Sequence, residues 1–268
     1  MDVLEVCDVA VDYDGAFAEV IVSRWSETPD EQRNAAESSD RQGQLAPDAP
    51  GSYALCDCFH YQRGHADVFR EVYKKSRCSP PSKDERLLVV DIGAGAATVA
   101  VGLGEALKRS QRQRVDYRAF DPNPMMQEIG REILGHLGAD FGSADYIESL
   151  DDVEFTDVDR LLFTFSYVAH QDTVAPAHID SWAAIIKRAV GEVDRAVEVI
   201  YTTANLDGGA LADLERMLKE ANVVNKQHRI DVQVRRRFPD STRGDGPIGW
   251  DEQPHRWKVR AEHWILRT

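Results

Sequence analysis

The chain is short of the features that mark several protein classes. Four cysteines, Cys7, Cys56, Cys58 and Cys78, in 268 residues are too few for a disulfide framework. A reducing compartment is expected, and the cytoplasm is its simplest form. No apolar run approaches the roughly 18 residues that a membrane-spanning helix needs, so no membrane association is expected. The opening stretch MDVLEVCDVAVDYD is acidic and lacks the basic segment and apolar core of a secretory signal. Internal repeats are absent. Positive charge is in deficit: 32 Lys and Arg stand against 46 Asp and Glu, a net charge of −14. So acidic a surface disfavours non-specific nucleic-acid binding. It leaves room for a local basic patch, and Lys226–Arg237 with Arg256, Lys258 and Arg260 supply candidates.

The composition, 43% hydrophobic and 29% charged, is ordinary for a globular protein, and the length suits one large α/β domain plus an appendage. Residues 1–85 read as a helical N-terminal extension or lid. Within it, residues 14–25 fit a helix, and residues 36–50, ESSDRQGQLAPDAPG, fit a flexible linker. Residues 51–77 fit one helix, or two broken at Gly64. From residue 86 the pattern becomes strand–helix repeats. Strands are expected at 86–92, 115–121, 159–168 and 195–204, with a short polar one or a turn within 140–149. Helices are expected at 96–109, 124–137, 176–191 and 208–223. The stretches 228–238 and 255–267 alternate as strands with no helix between them. The expected fold is therefore α/β: a doubly wound, seven-stranded, mostly parallel sheet with an antiparallel last pair.

Function concentrates after the first strand. LLVVDIGAGAAT ends a buried strand on Asp91 and enters a glycine loop, where ligands of parallel sheets bind. Gly93 and Gly95 let the backbone turn tightly and approach a ligand. A dinucleotide loop wants a third Gly or Ala where this chain has Thr98. Asp91 would repel a pyrophosphate and suit a cationic amino-acid group.

The segment Asp91-Ile-Gly93-Ala94-Gly95-Ala96-Ala97 resembles motif I of class I (Rossmann-like) S-adenosylmethionine-dependent methyltransferases, (D/E)-x-G-x-G-x-G. Ala97 replaces the last glycine. Asp121 ends the second strand, 28 residues after Gly93, where a carboxylate can accept from both ribose hydroxyls; dinucleotide folds use the same device. The resemblance covers residues 86–268. It implies S-adenosyl-L-methionine as cofactor, with Asn123 and Met125 flanking the adenine. It also implies Asp145-Tyr146 at the adenine amino group, with Asp140 as a rival acid. At the end of the fourth strand, Ser166, Tyr167 and His170 can face the pocket. His170 is the candidate general base and Tyr167 its companion, against a structural reading of His170.

The resemblance thus implies a methyltransferase, EC 2.1.1.-, acting on a small molecule or peptide. The chain lacks the (N/D)-P-P-(Y/F) tetrapeptide of adenine- and glutamine-modifying members. RNA through the basic final strands is an alternative, disfavoured by charge, and a non-catalytic binding protein is another. A shared face for Arg235–Arg237 and Arg256–Arg260 beside the pocket would add weight to RNA, and opposite faces would mark edge-strand charge. Tyr53, His60, Tyr61 and His65 are candidates for an acceptor wall, as is Trp250. The Cys56, Cys58 and His60 spacing does not suit a zinc site, and no metal is expected.

Overall fold

A computed structural model describes residues 12–38, 50–137, 140–166, 174–194, 197–203, 210–239 and 250–267. Its strands are β1 (Leu87–Ile92), β2 (Val115–Phe120), β3 (Ser143–Tyr146), β4 (Arg160–Ser166), β5 (Val197–Thr203), β6 (Val224–Pro239) and β7 (Trp250–Leu266). They form one seven-stranded sheet in the order β3-β2-β1-β4-β5-β7-β6. The strands β1 to β5 pair in parallel. Strand β7 runs antiparallel to both β5 and β6. This is the α/β sheet expected from the sequence, last pair included, and the short strand anticipated within 140–149 is β3.

Burial explains the order. Every residue of β1 is buried, as a central strand covered on both faces requires. One hydrophobic core packs Val89, Tyr117 and Ile200 beneath the N-terminal helices. The other packs Val90, Phe163 and Val199 beneath α9 (Pro176–Glu192) and α10 (Ala210–Glu220).

The N-terminal helices are α1 (Tyr13–Phe17), α2 (Ser23–Glu27), α3 (Asp30–Ser38), α4 (Gly51–Asp57) and α5 (Arg63–Lys75). A π-helical turn, Ala18–Val22, joins the first two, and another, Cys58–Gln62, joins the last two. Two sequence expectations change here. Residues 36–38, expected in a linker, are helical: α3 carries Asp30 and Glu31 in its first turn and buries Ala36. Acids at a helix start favour it through the dipole. Of the two readings of residues 51–77, the one with a break at Gly64 does not hold. The helical run passes through Gly64, and the irregularity is the π turn just before it.

Helix α5 lies on α6 (Thr98–Ala106), the helix that follows the glycine loop and precedes the short α7 (Arg109–Arg112). A Cβ at Gly102 would sit 2.9 Å from the Ala66 carbonyl oxygen and 3.2 Å from the Arg70 nitrogen. Close approach is therefore built into this pair. Glu105 accepts from Arg63 at 2.6 Å and from Arg70 at 2.9 Å, fixing the contact at its polar edge.

Where β4 and β5 begin, a polar network ties the sheet to residues 77–79. Arg160 donates to Glu198 at 2.7 Å and to the Ser79 carbonyl at 2.6 Å. The Arg77 amide donates to His263 Nδ1 at 3.4 Å, which leaves the ring proton on Nε2, 2.8 Å from Glu198. Burial alone would raise the Glu198 carboxyl. The hydrogen bonds from His263 and Arg160 outweigh it and hold the group below its ordinary 4.5.

Two outcomes follow. Gly102→Ala should cost about 1–3 kcal/mol of stability in a urea titration, the usual range for overpacking; an unchanged midpoint would show that α5 and α6 are not tightly apposed. A lowered carboxyl stabilises above its unfolded value and loses that contribution as pH falls. Thermal melts of the wild type should therefore fall as pH drops below about 4.5, with a shallower fall for Glu198→Gln. Equal slopes would contradict the network.

Candidate functional site

The sheet reverses direction of winding at β1, whose neighbours are β2 on one side and β4 on the other. The crevice beyond the carboxyl ends of such strands is where parallel sheets bind ligands. Residues 93–97 line it. Gly93 has φ 70°, Gly95 φ 54° and Ala97 φ 60°. The left-handed region costs a residue with a Cβ about 1–2 kcal/mol. Ala97 bears that strain at the position where the resembling motif has glycine.

Three side chains from three other elements hold this loop. Asp121, just past β2, accepts from the Gly95 amide at 2.8 Å and from the Asn123 amide at 2.9 Å. Tyr146, the last residue of β3, donates its hydroxyl to the Gly95 carbonyl at 2.5 Å. Gln62, in the π turn of the N-terminal helices, donates Nε2 to the Ala96 carbonyl. Gly95 is thus gripped on both its backbone polar groups. Tyr146 reaches it by lying across Gly130 of α8 (Pro124–Leu137), where a Cβ would fall 1.9 Å from the phenol oxygen. The Arg131 guanidinium stands 5.5 Å from the Tyr146 ring centroid.

The acids of the site are unequal. Asp91 is fully buried; its carboxylate accepts from Tyr117 at 2.5 Å and from Thr164 at 2.7 Å. Burial pushes it up to about 7, against the two hydroxyl donors and with help from the charge of Asp121. Burial likewise raises Asp121 to about 6, against the Asn123 and Gly95 amides. The sequence reading set Asp91 against a cationic amino-acid group. In the structure both its oxygens are turned to Tyr117 and Thr164, and it braces β1 against β2 and β4.

The remaining expected residues fall as follows. Asn123 is buried and its Oδ1 accepts from the Met125 and Met126 amides at 3.0 and 3.1 Å, an N-cap for α8. Met125 is partly buried and touches the position of Gly51. Asp145 is exposed and accepts from the Tyr146 amide at 2.7 Å. Its rival Asp140 binds Arg112 at 2.9 Å. Ala94 is buried, and the Gly93 and Ala94 amides both donate to the Phe120 carbonyl. Ser166 Oγ lies 3.3 Å from Thr202 Oγ1. Tyr167 and His170 lie outside the described residues.

The expected wall residues His60, Tyr61 and His65 form a run of ring contacts: His60–Tyr61 at 6.2 Å, Tyr61–His65 at 6.0 Å, and His65 with Trp257 of β7 at 5.6 Å. Trp250 pairs with Pro239 in the β6–β7 register. Among the described residues no group of three or more His, Cys, Asp and Glu is arranged to hold a metal ion. Nor is any described helix long and apolar enough to cross a membrane.

No family model and no curated protein matches the chain. Several solved structures are similar in fold. One is precorrin-6y C5,15-methyltransferase from Geobacter metallireducens GS-15, with TM-score 0.46 and 16% identity, covering 75% of this chain and 88% of that one. A second is tRNA (m1A58) methyltransferase from Aquifex aeolicus, with TM-score 0.43 and 9% identity, covering 78% and 70%. A third is magnesium protoporphyrin IX methyltransferase from Synechocystis PCC 6803, with TM-score 0.40 and 14% identity, covering 97% and 99%.

The Asp91 environment makes a checkable statement. A carboxyl raised by burial stabilises most below its unfolded value, and that contribution is lost as pH rises. Carboxyl NMR should find Asp91 titrating near pH 7. Tyr117→Phe removes one donor to the ionised form and should move the midpoint higher; a lower midpoint would contradict the assignment.

Proposed function

We propose that the protein is an S-adenosylmethionine-dependent methyltransferase. The observation that carries this reading is Asp121 at the end of β2, beside the left-handed Gly93–Ala97 loop at the switch point of the sheet. A carboxylate there is acceptor-only and suits a ribose diol. The donor set fits a neutral nucleoside with a cationic tail better than a pyrophosphate. Asp121 presents a carboxyl at the crevice, and among the described residues no Lys or Arg donates to the loop.

In this reading Gly93, Ala94 and Gly95 form the floor, and Asp121 orients the ribose. Asn123, through its cap of α8, and Met125 shape the adenine side. Asp145 and Tyr146 close that side, with Tyr146 holding the loop through Gly95. Bound there, S-adenosylmethionine supplies an electrophilic methyl group on a sulfonium. The protein's share is to align the acceptor and exclude water. Ser166, at the carboxyl end of β4, borders the acceptor side. His170 and Tyr167 follow it in sequence and are proposed as the base and its companion. Asp91 acts here as a positioning residue that holds the strands beneath the loop. The strong acidity of the chain favours a small molecule or peptide as acceptor, and a cytoplasmic setting goes with the free thiols of Cys56, Cys58 and Cys78.

RNA as acceptor is favoured by one observation. The register sets Arg235 opposite Arg256, Gln233 opposite Lys258 and Asp231 opposite Arg260. Directly paired residues share a sheet face, so Arg235, Lys258 and Arg260 lie on one face of the β6–β7 ribbon. Asp231 lies 3.6 Å from Arg229 and 3.7 Å from Arg260, which offsets part of that charge. Methyl incorporation into RNA, with binding that weakens steeply in salt, would select this acceptor.

Calorimetry with S-adenosylhomocysteine tests the cofactor. The wild type should bind it, and Asp121→Asn should bind about tenfold or more weakly, the loss of a charge-assisted hydrogen bond. NAD should not compete. Binding of NAD in place of S-adenosylhomocysteine, or an Asp121→Asn protein with wild-type affinity, would overturn the assignment.

A further inference from the structure

We propose that Asp57, on the N-terminal helix, is a second carboxyl of the nucleotide site and takes the ribose jointly with Asp121, with Gln62 Oε1 as a further acceptor beside the loop. The inference rests on the methyltransferase reading above and names a contribution from outside the sheet domain to that same site.

Three contacts seat the N-terminal helix over the crevice. A Cβ at Gly51 would lie 2.8 Å from Met125 Cε. Cys58 Sγ lies 3.5 Å from Met126 Sδ. Gln62 donates to the Ala96 carbonyl. Helix α4 and the π turn therefore span both the loop after β1 and the loop after β2. Asp57 falls inside that span, directly before Cys58. Asp57 is partly buried, feels the charge of Asp121, and has neither a hydrogen bond nor an ion pair among the described residues.

Gln62 is an independent pointer to a ligand. The residue is 3% exposed. Its Nε2 is spent on Ala96, and its Oε1 is buried with no donor. A buried amide oxygen left without a donor is uncommon in folded proteins. A donor-bearing ligand in the crevice would satisfy it. The π turn that carries Gln62 has a matching meaning: such turns insert a residue into a helix and concentrate at functional sites.

The pair has a consequence for pH. Burial, and then the charge of Asp121, push Asp57 up to about 7, while burial raises Asp121 to about 6. Cys56 and Cys58 flank Asp57 on its own helix, and their thiols are raised by burial and stay neutral. Asp91 and Tyr146 bear on the Asp121 side. No cation opposes the pair among the groups acting on it. Near pH 6 the two carboxyls therefore retain a proton. Ribose hydroxyls donate, so the carboxyls that receive them must be free to accept. Ligand binding then expels that proton to the buffer, and affinity rises with pH until the pair is ionised.

The test is titration calorimetry of S-adenosylhomocysteine at pH 6 in two buffers of different ionisation enthalpy, repeated at pH 7.5. The wild type should release a measurable fraction of a proton at pH 6 and bind more tightly at pH 7.5. Asp57→Asn should release less and bind about tenfold more weakly at pH 7.5. Asp57→Glu, which restores a carboxyl, should recover both. Wild-type binding with heats independent of buffer, or an Asp57→Asn protein with wild-type affinity, would overturn the role of Asp57 while leaving the methyltransferase reading intact. No binding by the wild type at millimolar ligand would overturn that reading and this site with it.

Discussion

The grip on Gly95 is the constraint on which the site depends. Its amide is held by Asp121 from β2 and its carbonyl by Tyr146 from β3. A residue with φ 54° is held in that conformation by what surrounds it. Here two neighbouring strands supply the partners, and each partner has support of its own. Asp121 also caps the Asn123 amide, and Asn123 in turn starts α8. Tyr146 needs the bare backbone of Gly130 to reach across α8. The loop, β2, β3 and α8 therefore form one cooperative unit at the carboxyl edge of the sheet.

The N-terminal helices add a second layer to this unit. Gln62 reaches Ala96 from a π turn, while α5 packs on α6 at Gly102 and binds Glu105. The helix that leaves the glycine loop is thus clamped by the segment that precedes the sheet in sequence. Tyr13, Phe17, Phe69 and Leu103 belong to one continuous core with Val89 and Tyr117. The N-terminal helices and the sheet beneath the glycine loop therefore share one packed core.

Much of this was legible in the sequence because it is local. The apolar run of β1 and the glycines after Asp91 stand within a few residues of one another, and Asp121 closes the next strand, RAFD, 28 residues after Gly93. The parallel sheet and its antiparallel end followed from counting helices between strands, including the missing helix before β7. What escaped was nonlocal. Nothing near Asp91 announces that Tyr117 and Thr164 enclose it. Gln62 lies 34 residues before its partner Ala96, and a π turn has no sequence signature of the kind that Gly or Pro gives a break. Tyr146 was noticed as a neighbour of the adenine site, but its contact with Gly95 depends on a glycine in another element. Helix α3 was masked by Ser- and Gln-rich composition beyond it, which outweighed its acidic first turn.

The most direct test of this account is a crystal structure with S-adenosylhomocysteine. The account predicts the ligand in the crevice beyond β1, its ribose hydroxyls within hydrogen-bond distance of Asp121 and its flank against the Gly93–Ala97 loop. A ligand seated against any other part of the sheet, with Asp121 still turned only to the protein backbone, would contradict it.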